Sequence, residues 1–211
     1  MRILICGDSY YDFDERYNGL HWADNLTGHE VYRLARGGAS NFSIYQQVKF
    51  SKYFSPDIVL VTFTAFPRVE FLRDEQVVDK EFTKKLLSND DLNERMWFYR
   101  NTVYQTIDHA LPNYNDTIFK KWLPYYIEPY EATKNSIYIK SALDLLSDNK
   151  VKYYYTLGGA VIDDDIDLSK HQTQELLPNS HQHPEKFADP YFHIMDAEWH
   201  KKHTELVMEL C

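Results

Sequence analysis

Arg2-Ile3-Leu4-Ile5-Cys6 opens the chain as a short β-rich run and stops at Gly7-Asp8-Ser9. An apolar run with no polar alternation is how a strand buried on both faces reads, and such strands belong to parallel sheets covered by helices. Three later runs repeat the pattern. Val31 to Ala35 (VYRLA) leads into Gly37-Gly38, Asp57 to Phe63 (DIVLVTF) is the clearest, and Val151 to Thr156 (VKYYYT) leads into Gly158-Gly159.

Helical patterns lie between these runs: Asn41 to Tyr53 behind Ser40 as N-cap, Asn93 to Ala110, and Tyr130 to Leu146. A last helix, about Ala197 to Leu210, puts Leu206, Val207 and Leu210 on one side. Strands alternating with helices predict an α/β fold, a three-layer α/β/α sandwich around a central, mostly parallel sheet. Phe71 to Asp91 is charged and weakly periodic, and Gly158 to Pro190 reads as a long loop rich in Asp, His, Gln and Pro. No repeat or low-complexity linker divides the chain, so residues 1–211 are read as a single domain.

With 211 residues, 44% of them hydrophobic, the chain has enough apolar material for a real core. A formal charge of -9 argues against a nucleic-acid surface, since a polyanion is repelled on average. The pairs Lys49 and Lys52, and Lys120 and Lys121, read as solvated helix faces. Two cysteines, Cys6 in the first apolar run and Cys211 at the last position, do not make a disulfide scaffold. Met1 to Gly7 lacks the apolar stretch of a signal peptide, and no segment is apolar for long enough to span a bilayer. The expectation is a protein with no membrane span, made in a reducing compartment and either cytoplasmic or virion-associated. Its oligomeric state is not readable.

In open parallel sheets the ligand lies beyond the carboxyl ends of the strands. The residues just after the first three strands are Asp8-Ser9, Gly37-Gly38-Ala39-Ser40-Asn41 and Thr64-Ala65-Phe66-Pro67-Arg68. They offer a hydroxyl, a glycine turn with backbone N–H groups, and a polar and cationic segment. A serine becomes nucleophilic beside a base and needs donors aimed at the oxyanion. Histidines suited to that role gather in Asp189 to His203, DPYFHIMDAEWHKKH.

Three segments carry a family resemblance. ILICGDS resembles the first block of the SGNH (GDSL-like) hydrolases, LARGGASN the second, and DPYFHIMDAEWHKKHTELV the fifth, an Asp-x-x-His segment leading into the terminal helix. Together they span nearly the whole chain. The resemblance implies a flavodoxin-like SGNH fold with Ser9 as nucleophile and the N–H groups of Ser9 and Gly38 as oxyanion donors. It makes His193 the base and Asp189 the carboxylate that orients it. The activity implied is that of a serine esterase removing a small acyl group, such as acetyl, from a carbohydrate or other small-molecule ester, with no metal or organic cofactor. The turn is not the G-x-S-x-G elbow of a conventional α/β-hydrolase.

Two departures from the family pattern keep alternatives open. Where the third block offers Gly-x-Asn-Asp, this chain has TFTAFPRVE, so Thr64 is the nearest polar substitute and Arg68 binds either substrate or a nearby carboxylate. Three residues separate Asp189 from His193, and the same spacing recurs in Asp196 and His200, a second register for acid and base. The altered third block equally suits an SGNH-like binding module without catalysis, and acyl transfer to an acceptor stands beside hydrolysis.

Structural readings sit beside each of these. Asp8 is suited to cap the segment after the turn, Gly37-Gly38 to permit positive φ, and Asn41 to brace the loop bearing the oxyanion donors. His181, His183, His193 and Asp189 match no compact zinc motif. Trp97, Trp122 and Tyr154 belong to the core or to the rim of a subsite.

Overall fold

The computed structural model describes residues 1–12, 21–64, 68–72, 104–108, 125, 128–158, 160–176 and 197–211. Four parallel strands form the main sheet: β1 (Arg2–Cys6), β2 (Glu30–Arg33), β3 (Ile58–Thr62) and β6 (Lys152–Thr156), in the order β2-β1-β3-β6. Ile3 pairs with Val31 on one side and Ile58 on the other, which makes β1 central. Helices α1 (Asn41–Phe50), α2 (Glu128–Asp148) and α3 (Ala197–Leu210) complete the main framework.

Alternate residues of the central strands feed two separate cores. Leu4, Cys6, Val59 and Val61 pack with Ile44 and Val48 of α1 and with Ile139, Leu143 and Leu146 of α2. Ile3, Ile5, Ile58 and Leu60 face the other way, toward Trp22, Leu26 and Val207 of α3. Burial on both faces is the reason these strands read as unbroken apolar runs, and it gives the three layers. Leu206 and Leu210 pack at the margin of the second core, on the side of α3 expected from its pattern.

Ser40 caps α1, its hydroxyl accepting from the Ser43 N–H, and the expected helix to Tyr53 finishes as a 3-10 turn, Ser51–Tyr53. The helix expected over Asn93 to Ala110 is corrected in its last part. Tyr104–Asp108 is strand β5, antiparallel to β4 (Arg68–Leu72), with Arg68 opposite Asp108. Tyr104, Thr106 and Ile107 are β-formers, and a partner strand more than thirty residues away supplies the ladder that no local pattern shows. The expected loop after Gly158 also holds more structure than its composition suggests. It contains a 3-10 helix, Ser169–Gln174, and then Glu175 bridges Tyr155 in the parallel sense.

From β1 the sheet extends to β2 on one side and to β3 on the other. The chain therefore reverses its direction of winding between β1 and β3, the point at which parallel sheets in general take a ligand into a crevice beyond the carboxyl ends. Among the described residues no helix is long and apolar enough to cross a membrane.

Candidate active site

At the end of β1 the chain turns on Gly7, whose φ is 150°. A Cβ there would stand 2.3 Å from Cγ2 of Thr62, so only glycine lets β1 run this close to the end of β3. Asp8 follows, fully buried. Its Oδ1 accepts from the Tyr10 N–H at 3.1 Å, and its carbonyl accepts from the N–H groups of Tyr11 and Asp12 at 3.1 and 3.0 Å. Asp8 thus caps a single helical turn, and partly exposed Ser9 sits at the first position of that turn.

The glycine turn after β2 lies beside Ser9. A Cβ on Gly37 would be 4.0 Å from Cβ of Ser9. The Gly37 N–H donates to Oδ2 of Asp12 at 2.8 Å, so this donor of the turn is already committed. Gly38 has φ 77°, and its N–H makes no hydrogen bond to a described residue.

Arg68 joins the two turns. Its Nη1 donates to Oδ2 of Asp8 at 2.8 Å and to the Ala39 carbonyl at 3.2 Å. Partner to a carboxylate is thus one of the two roles read for Arg68, and the structure shows it.

Two carboxamides on α1 hold the strand ends from below. Asn41 accepts from the Thr64 N–H at 2.9 Å and donates to the Thr64 carbonyl at 2.7 Å, bracing the turn after β3. Asn135 of α2 accepts from the same Asn41 amide at 3.2 Å. Thr64 is buried, and its backbone N–H is committed to Asn41, which leaves the hydroxyl as the donor it has to offer. Gln47 makes the corresponding pair of bonds to Gly7. Gln47 and Asp12 escaped the reading of the sequence. The available signal for Gln47 was a carboxamide among the buried Ile44, Val48 and Phe50 of α1.

Asp189 and His193 lie outside the described residues, as do His181, His183, Asp196, Trp97 and Trp122. Tyr154 is partly buried against the second core. His200 lies on α3 with 4% exposure, its Nδ1 accepting from the Trp22 N–H at 3.2 Å and its ring centroid 5.1 Å from that of His21. Nε2 of His203 stands 3.2 Å from the Tyr11 hydroxyl. Burial, Arg33 and His200 together push the His21 imidazole down to about 4. Burial drives the Tyr11 phenol upward. Toward the opposite edge of the sheet, His171 bridges the Tyr153 hydroxyl at 2.6 Å and the Asp144 carboxylate at 3.0 Å.

Among the described residues no group of three or more His, Cys, Asp or Glu side chains is arranged to hold a metal ion. No protein-family model matches the chain, and no curated protein matches its sequence.

Proposed function

We propose that the chain is a serine ester hydrolase of the SGNH type in which Ser9 attacks the ester carbonyl. The observation that carries this reading is the approach of the Gly37-Gly38 turn to Ser9 at the switch point of a parallel sheet. The Gly38 N–H, with that of Ser9, holds the oxyanion, and the Thr64 hydroxyl is a third donor from β3. His193, oriented by Asp189, takes the serine proton, returns it to the leaving alkoxide and then activates water.

Support for that base comes from the two ends of the segment bearing it. Glu175 bridges Tyr155 one residue before β6 ends, in the parallel sense, so Leu176 leaves at the carboxyl edge. At the other end, α3 is tied through His203 to Tyr11 in the nucleophile turn. Leu176 and the helix that bears His203 therefore both lie toward the edge that carries Ser9.

Asp8 and Arg68 neutralise each other beside Ser9, which suits an uncharged ester such as an acetylated sugar. The commitment of the Thr64 N–H to Asn41 favours one competing reading, a binding module that keeps the crevice without turnover.

Ser9→Ala separates the two. As an esterase, the wild type takes a serine-directed phosphonate on Ser9 and hydrolyses p-nitrophenyl acetate. The variant loses roughly a thousandfold or more in kcat with an unchanged thermal midpoint. A binding module shows neither labelling nor turnover, and its ligand affinity survives the substitution.

A further inference from the structure

We infer that Gln47 is a positioning residue for Ser9, acting through the backbone of Gly7 to set the nucleophile against the Gly37-Gly38 turn. The inference rests on the esterase reading above.

Gly7 lies one residue past the ladders of β1, whose last pairs are Ile5 with Arg33 and Cys6 with Val61. Its N–H and C=O therefore need partners from outside the sheet, and the site is buried. Gln47, with no exposure, supplies both. Its Oε1 accepts from the Gly7 N–H at 2.6 Å, and its Nε2 donates to the Gly7 carbonyl at 3.0 Å. The same carbonyl accepts from the Arg36 N–H at 3.0 Å.

Gly7 is thus the point from which both arms of the site depart. Ser9 lies two residues beyond it along the chain, and Gly38 lies two residues beyond Arg36. A glycine at φ 150° has no side chain to hold its peptide planes, so the direction in which the chain leaves β1 depends on what grips its N–H and C=O. A carboxamide presents one acceptor and one donor side by side. A hydrocarbon of the same size presents neither, and a carboxylate only accepts.

Gln47→Glu tests this through proton inventory. The carboxylate still accepts from the Gly7 N–H but sets a second acceptor against the Gly7 carbonyl, whereas the protonated acid donates there as the amide does. Burial raises the pKa of such a glutamate. At pH 8, and below the unfolding temperature, kcat on p-nitrophenyl acetate should fall roughly ten- to hundredfold, with KM within about twofold of wild type. As the pH is lowered, the ratio of variant to wild-type kcat should climb back. Gln47→Met, which makes neither bond, should show a similar loss with no recovery in acid, and it serves alone if the glutamate variant does not fold. Val48→Ala, a core truncation on the same helix, should lower the thermal midpoint and leave kcat of the folded protein unchanged.

Failure of the esterase reading shows in the wild type itself, as no turnover and no phosphonate on Ser9, and the inference falls with it. In a wild type that turns over and labels, Gln47 variants that match its kcat across the pH range would make Gln47 a packing residue and overturn the inference.

Discussion

The two faces of the sheet fasten the same edge by different chemistry. On the α1 side the strand ends are gripped by neutral carboxamides, Asn41 on Thr64 and Gln47 on Gly7. On the α3 side the contacts run through imidazole rings: His200 to the Trp22 backbone, His203 to Tyr11, and His21 against His200. Amides keep their donors and acceptors at any ordinary pH, while an imidazole exchanges an acceptor for a donor when it takes a proton. At this edge, acid therefore acts on the α3 side, where the His21 imidazole is held low, and leaves the grip of α1 on the site intact. Between the faces stands the Asp8–Arg68 pair, in which full charge takes the place of either device.

The charged tie should give the largest effect. Arg68→Met strands a fully buried Asp8 carboxylate, and a loss of about 3–5 kcal/mol in denaturant unfolding is expected. Adding Asp8→Asn removes the stranded charge, so the double variant should recover much of that loss. Additive losses in the two single variants would mean that the pair contributes nothing beyond its separate members.

The titratable tie comes next. His21 is held at about 4 in the folded protein, below the roughly 6.5 of an unperturbed imidazole. Above about pH 6.5 it is neutral in both states and stability is intact. As the pH falls from there toward 4, the unfolded chain takes the proton first and stability is lost, by an amount on the order of 3 kcal/mol. His171, which burial also pushes down, adds to the acid sensitivity of the whole molecule. The comparison that isolates His21 is therefore wild type against His21→Gln, whose stability should depend less steeply on pH between 6.5 and 4. Equal slopes would place the acid sensitivity elsewhere.

The smallest effect on stability is expected where the neutral tie is left in place and only a hydroxyl beside it is removed, and the consequence falls on rate instead. Thr64→Val keeps the backbone bonds to Asn41 and removes only the hydroxyl, so the thermal midpoint should barely move. If the hydroxyl donates as charge develops on the oxyanion, kcat falls at least about tenfold with KM unchanged. Wild-type kcat would leave the oxyanion with two backbone donors.

Local physics made part of this molecule legible from its residues alone. The span Arg2–Cys6, the Ser40 cap on α1 and the limits Ala197–Leu210 of α3 follow from apolar runs, a side chain that satisfies an adjacent N–H, and helical periodicity. Ser9 and Gly38 were readable as site candidates because parallel strands deliver their next residues to one edge.

The tertiary structure decided the partnerships. Asn41 finds Thr64 across 23 positions, Gln47 finds Gly7 across 40, and Arg68 finds Asp8 across 60. Tyr104–Asp108 becomes a strand because β4 lies alongside it. A carboxamide or guanidinium in a sequence announces what it can donate or accept. Which backbone or carboxylate receives it depends on chain reversals that bring distant segments into contact, and no pattern within a few residues encodes that choice.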